Sequence, residues 1–392
     1  MEHHEAPKNP LESPRKSKHI VIVAGEASGD MHAAHLIEAI RRLDPQITFS
    51  GLGGQKMKEN GVEIYSDLTK IAVVGFGEVL KHYGEFKAVF QLIVKKINEI
   101  RPLAVILVDY PGFNLRLAKK IKKKNIKVIY YISPQVWAWK KKRVYLIKKV
   151  VNQMLVLFQF EKDFYARYQI PVDFVGHPLI DNIKINSPKE SFLETLGLTN
   201  YKLTVGLLPG SREKEVERHL PMMLEAAKIL HKEFPMMQFI LIKAPTISGE
   251  LISQHIASLA FSLKVAEDEA YDAINACDVC MVASGTATLE TAILQKPMVV
   301  IYKTSLLTWL LARLFVKIPD IGLVNVVAGK RIVPECVQFQ ATGEQIAKEL
   351  KSIFTDELKI AEIKSELKKV KESLGPGGAS ERAAKAILKS LF

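Results

Sequence analysis

Apolar residues fall along this chain in short, nearly unbroken runs separated by stretches with helical spacing. The first series reads HIVIVAG (19–25), ITFSGLGG (47–54), AVILVDYP (104–111), KVIYYIS (127–133), QMLVLF (153–158) and VDFVGH (172–177). After a polar interval around 181–200 the pattern restarts with LTVGLLPG (203–210), QFILIKAP (238–245), LKVAE (263–267), VCMVASG (279–285) and PMVVIYK (297–303). Runs that are apolar at successive positions predict strands covered on both faces, as in a parallel sheet flanked by helices. Two such series predict an α/β protein of two Rossmann-like parallel-sheet domains facing a cleft. The expected division is a mobile tail over 1–17, an N-terminal domain over 18–180, a linker over 181–200 and a C-terminal domain over 201–365. Helices over 366–392, broken by Gly-Pro-Gly-Gly at 375–378, are expected to pack back on the N-terminal domain.

Composition narrows the class. The 392 residues are 48% hydrophobic and 25% charged, which excludes disorder, a coiled coil and a disulfide-stapled miniprotein. No apolar run reaches the roughly 18–20 residues a bilayer span needs. Residues 1–17 lack the apolar core of a signal peptide. Three cysteines (Cys277, Cys280, Cys336) suit a reducing compartment, and the lone C-x-x-C reads as two small buried hydrophobes.

The formal net charge is +13, and it is concentrated. No acidic residue occurs between Asp109 and Glu161, whereas thirteen Lys and Arg lie between positions 116 and 149. That stretch must face something negative. A nucleic-acid partner is disfavoured, because the lysines of 119–127 spread along a solvated helical face and no nucleic-acid-binding module accompanies them.

In α/β domains of this kind ligands lie beyond the carboxyl ends of the strands, so the loops there carry the chemistry. The first is Gly25-Glu26-Ala27-Ser28-Gly29-Asp30. Its carboxylates oppose a dinucleotide pyrophosphate and suit sugar hydroxyls, with helix capping by Ser28 and Asp30 as the alternative. The loop at 108–114, VDYPGFN, puts Asp109 at the end of a buried strand, the environment of a general base, with an Asx turn as the alternative. Phe113 and Asn114 follow as ligand contacts. Trp137 and Trp139, next to four cations at 140–143, suit a sugar ring or a headgroup layer.

In the second domain Gly210-Ser211-Arg212 makes a turn and a guanidinium suited to phosphate. Ser284-Gly285-Thr286 offers hydroxyls and amides to a second phosphate, with a capping box as the alternative reading, and Glu290 follows one turn into the next helix, placed to accept ribose hydroxyls. A D-x-D, a P-loop and a nucleophile elbow are all missing, so neither a metal nor another cofactor is expected. His177, at the domain boundary, reads as structural.

Taken together, VAGEASGD (23–30), D-x-P-x-F-N (109–114), SPQVWAW (133–139), FEKDFY (160–165), VGHP (175–178), LPGSR (208–212), SGTATLE (284–290) and LVNVVAG with IVPE (323–335) resemble the lipid-A-disaccharide synthases, inverting glycosyltransferases of GT-B type. The resemblance runs from about residue 19 to the C-terminus; the tail and the dense lysines at 119–127 fall outside it. It implies transfer of 2,3-diacylglucosamine from UDP to 2,3-diacylglucosamine 1-phosphate, giving the β-1,6 disaccharide 1-phosphate and UDP. It also implies Asp109 as base, with Glu26 the second candidate. Ser28, Gly29, Asp30, Phe113 and Asn114 would serve the acceptor, and Gly210, Ser211, Arg212, Ser284, Gly285, Thr286, Glu290 and Asn325 the UDP-sugar. The alternatives are a lipid-linked glucosaminyltransferase or a UDP-N-acetylglucosamine epimerase.

Both implied substrates carry acyl chains. The apolar segment 68–80, with Val73, Val74, Phe76, Val79 and Leu80, is therefore expected to meet the membrane, and 304–318 is a second candidate, each with a core helix as the alternative. The expected location is the cytoplasmic face of a Gram-negative inner membrane, with the anionic lipid surface as partner; a homodimer is compatible with this reading.

Overall fold

The computed structural model describes residues 18–72, 83–138, 141–257, 259, 261–315 and 319–392. The first sheet contains β1 (His19–Ala24), β2 (Thr48–Gly53), β3 (Glu63–Asp67), β4 (Ala104–Val108), β5 (Lys127–Tyr131), β6 (Gln153–Val156) and β7 (Val172–Phe174). The second contains β8 (Thr204–Leu208), β9 (Gln238–Ile242), β10 (Leu263–Ala266), β11 (Val279–Ala283), β12 (Met298–Tyr302) and β13 (Glu335–Val337). Strand orders are β3-β2-β1-β4-β5-β6-β7 and β10-β9-β8-β11-β12-β13, and every pairing between them is parallel.

The architecture is the expected pair of helix-covered parallel sheets. β1, β4, β5, β8, β9 and β11 carry apolar side chains at nearly every position, and almost all of these are fully buried. Such strands are stable only with helices on both faces, which the intervening segments supply. β3 and β13 were not foreseen; each is an edge strand with polar residues.

Both sheets reverse strand order at their first strand. In each, strand order runs outward one way from β1 or β8 and then resumes on the other side with β4 or β11. The crevice at that switch is where a ligand meets the strand ends.

The linker is tied to the second sheet's side. Asp272 accepts hydrogen bonds from the Asn186 and Ser187 amides at 2.8 and 2.9 Å, and Lys189 pairs with Asp278 at 2.5 Å. Helix Glu357–Ser373 packs on helices Ala287–Ile293 and Leu323–Ala328, whereas helix Ala379–Leu391 packs on helix Ala27–Leu43 beside β1. The chain therefore crosses back at the 375–378 turn. There Arg382 donates to the carbonyls of Val175, Pro376 and Gly377, and Asp181 caps the last helix through the Gly378 and Ala379 amides. His177, buried and packed on Phe158, accepts from the Leu179 amide; burial pushes its pKa down to about 3, so it is a neutral structural group. All three cysteines are buried and unpaired.

Candidate active site

Asp109 follows β4 and sits with Tyr110 in the left-handed region, at φ 44° and 45°. Two successive non-glycine residues there cost about 1–3 kcal/mol each, so the surrounding structure must enforce the turn. It does so through the backbone. The Asp109 amide donates to the Tyr131 carbonyl at 3.0 Å. The Asp109 carbonyl accepts from Tyr130 Oη at 2.5 Å and from Asn114 Nδ2 at 2.8 Å. Asn114 also donates to the Val108 carbonyl at 3.1 Å. With its backbone clamped, the Asp109 carboxyl has a fixed origin at the strand end.

Phe113 is buried, 5.4 Å from Phe90 in an edge-on pair, so Phe113 and Asn114 act beneath the loop as its support. The Tyr110 ring closes over Gly25: a Cβ built there would lie 2.2 Å from the ring. This contact couples the β1 and β4 loops and requires glycine. Burial, and secondarily the negative charge of Glu26, lifts the Asp109 pKa to about 6. The same two causes raise the Tyr110 pKa. Glu26 is exposed at the start of helix Ala27–Leu43, as is Ser28, while Gly29 is buried.

Asp30 points elsewhere. Its carboxylate accepts from the amides of Gly54 (2.7 Å), Lys56 (2.9 Å) and Met57 (3.3 Å) and so caps the short helix after β2. It ties the β1 loop to the β2 loop.

On the second sheet, Gly210 (φ 126°) turns β8 into residues 211–212, ahead of helix Glu213–Glu233. Arg212 is 80% exposed and bound to Glu215 at 2.9 Å. His219 was not anticipated: it lies buried inside that helix, where the helical pattern gives it no distinguishing mark. Its Nδ1–H donates to the Pro209 carbonyl at 3.1 Å and its Nε2 accepts from the Lys303 amide at 3.1 Å. That arrangement needs a neutral ring, and burial lowers the His219 pKa accordingly. His219 thus fastens the arginine loop to the end of β12.

After β11, Ser284 donates to the Ile321 carbonyl at 3.0 Å, while Gly285 and Thr286 are exposed. A Cβ at Gly285 would meet nothing within 4 Å, so the loop opens onto free space. Glu290 is half-buried beside Tyr271, Oη to Oε1 3.5 Å; burial raises the Glu290 pKa, and burial together with Glu290 takes Tyr271 to about 12.

Asn325 has no capacity left for a ligand. Its Nδ2 donates to the Val333 carbonyl and Glu335, and its Oδ1 accepts from the Ile332 and Val333 amides. Glu335, another residue the sequence did not single out, also accepts from the Ile321 and Gly322 amides. Together they brace the segment whose carbonyl receives Ser284. Among the described residues no three His, Cys, Asp or Glu converge on a metal-sized site, and no helix is long and apolar enough to cross a membrane. Val73, Val74, Phe76, Val79 and Leu80 lie outside the described residues.

Two parallel sheets that each reverse strand order at their first strand define a GT-B-type fold. It matches a UDP-GlcNAc 2-epimerase from Neisseria meningitidis bound to UDP-GlcNAc, with TM-score 0.63 and 14% identity over 95% of this chain and 100% of that one. It also matches the calicheamicin glycosyltransferase CalG4, with TM-score 0.61 and 11% identity over 96% and 98%. Sequence carries the assignment further. A family model described as lipid-A-disaccharide synthetase matches residues 20–389. The lipid-A-disaccharide synthase of Geobacter metallireducens is 42% identical over 96% of this chain and 98% of its own length. Lipid-A-disaccharide synthase 1 of Legionella pneumophila is 41% identical over 92% and 94%. The chain belongs to the lipid-A-disaccharide synthase family, an assignment that favours the glycosyltransferase over the epimerase alternative.

Proposed function

We propose that this enzyme transfers 2,3-diacylglucosamine from UDP to the 6-hydroxyl of 2,3-diacylglucosamine 1-phosphate, with Asp109 as general base. Family membership carries the reaction, and the clamped, half-buried Asp109 carboxyl, raised to about 6, carries the choice of base. A base poised near the working pH is both available as carboxylate and strong enough to accept a proton. Asp109 takes the 6-hydroxyl proton as that oxygen's electron pair forms the bond to the donor anomeric carbon. The bond from that carbon to the UDP oxygen breaks, UDP leaves with the pair, and configuration inverts to β.

Arg212 and the Ser211, Ser284, Gly285 and Thr286 groups receive the diphosphate, whose charge grows as the bond breaks. Glu290 holds the ribose hydroxyls. Asp30, Asn114 and Asn325 keep the loops in place. Glu26 adjusts Asp109 through its charge, and Ser28 contributes an exposed hydroxyl on the acceptor side.

The enzyme works at the cytoplasmic face of the inner membrane. Helix Leu306–Phe315 exposes Leu306 and Leu310, which supports interfacial contact. Exposed lysines on helices Pro111–Lys122 and Arg143–Val150 supply attraction to anionic lipid.

Incubation with both lipid substrates and mass analysis of the products tests this reading. Disaccharide 1-phosphate plus UDP, formed at an undiminished rate in EDTA, is expected. UDP release without a disaccharide contradicts it.

A further inference from the structure

The loop after β5 carries a braced aromatic cluster and leaves the strand that neighbours β4. β5 pairs directly with β4, and its Tyr130 bonds the Asp109 carbonyl, so residues 133–137 leave the sheet next to the catalytic loop. Ser133 Oγ and Tyr165 Oη lie 2.7 Å apart and pin the start of that loop to helix Gln159–Ala166. Further along, Trp137 is half-buried, and its indole N–H donates to Glu161 Oε1 at 3.2 Å. Glu161 is 3% exposed, and its other oxygen accepts from the Phe158 amide at 3.3 Å. Phe160 meets the Trp137 ring in a T-shaped contact at 5.0 Å and stacks on Phe158 at 5.4 Å.

Burying a carboxyl is costly, and here desolvation pushes Glu161 up to about 7 against the hydrogen bonds from Trp137 and Phe158. The buried carboxyl does two things: it caps helix Gln159–Ala166 through the Phe158 amide, and it holds the Trp137 indole ring. A glucosamine ring with equatorial substituents presents flat C–H faces, and these pack on the face of an indole.

We propose that Trp137 is the stacking wall for the acceptor's pyranose ring and that Glu161 is the positioning residue that sets its orientation. This rests on the reading of the Asp109 side as the acceptor side.

The test compares wild type with Trp137→Ala, Trp137→Phe, Glu161→Ala and Glu161→Gln. Acceptor KM is measured at saturating donor, acceptor affinity by calorimetry with 2,3-diacylglucosamine 1-phosphate, and UDP affinity separately. Trp137→Ala is expected to weaken acceptor binding about tenfold in both KM and calorimetry, with UDP affinity unchanged. Glu161→Ala follows it in direction, and the two conservative variants fall between it and wild type. Wild-type acceptor affinity in Trp137→Ala overturns the wall, as does an equal loss of UDP affinity, which marks a merely structural role. A wild-type protein that binds the acceptor but forms no disaccharide overturns the transferase reading instead, and the calorimetric Trp137 dependence still decides this one.

Discussion

The two halves of the site are built on opposite plans. On the first sheet the proposed base is held by the fold itself. Asp109 has three backbone hydrogen bonds, a strained turn and a raised pKa. On the second sheet the loop supports are rigid, with His219, Asn325 and Glu335 buried and bonded on every side, but the groups that would touch ligand are left loose. Arg212 is 80% exposed on a single glutamate, and Gly285 borders open space. A base must be aligned to within a fraction of an ångström to take a proton, whereas a diphosphate can organise a long cationic side chain by its own charge. On the proposed reading, proton chemistry is preorganised and charge neutralisation is recruited.

The largest break in this comparison is Asp109→Asn. Turnover is expected to fall by roughly 10²–10⁴-fold with UDP affinity unchanged, measured by steady-state kinetics and calorimetry. Arg212→Ala acts on the other half. Losing a charge-assisted contact of about 1.5–3 kcal/mol weakens UDP binding by roughly 10–100-fold, read in a UDP titration. Tyr130→Phe removes one of the bonds that hold the Asp109 carbonyl; a loss of about 1 kcal/mol predicts a several-fold fall in kcat with UDP affinity intact. A UDP effect in Tyr130→Phe would show that the halves are not separable.

The smallest effect is on stability. Burial pushes Glu161 up to about 7, above the ordinary glutamate range, so between the two the native state holds a proton that the unfolded chain has released. That group's contribution to stability therefore falls as pH rises through the window. Glu161→Gln is expected to flatten this part of the profile, measured by denaturant unfolding across pH.

Legibility in the sequence follows the same physics. Among the described residues, eleven of the thirteen strands were readable because burial on both faces demands unbroken apolar runs. The edge strands β3 and β13 carry Glu63, Ser66 and Asp67, and Glu335, so their composition resembles loop. The place of Asp109 was legible because the unbroken apolar run of β4 ends at it, which puts a carboxylate at the carboxyl edge of the sheet. Asp30 and Asn325 looked like ligand contacts, yet their partners, Gly54–Met57 and Ile332–Glu335, are supplied by backbone that only folding brings alongside. Tyr130 and His219 gave no signal, since a polar atom at the tip of a mostly apolar side chain hides within an apolar strand or helix face.

The most direct measurement is the pH dependence of kcat in wild type and in Glu26→Gln. The wild-type rate should rise with an acid limb near 6, where the Asp109 carboxylate forms. Removing the Glu26 charge lowers the Asp109 pKa, so the limb should move to lower pH while turnover persists. A limb that Glu26→Gln leaves in place would assign the raised pKa to burial alone, whereas an inactive Glu26→Gln enzyme would contradict Asp109 as the base that this site is built around.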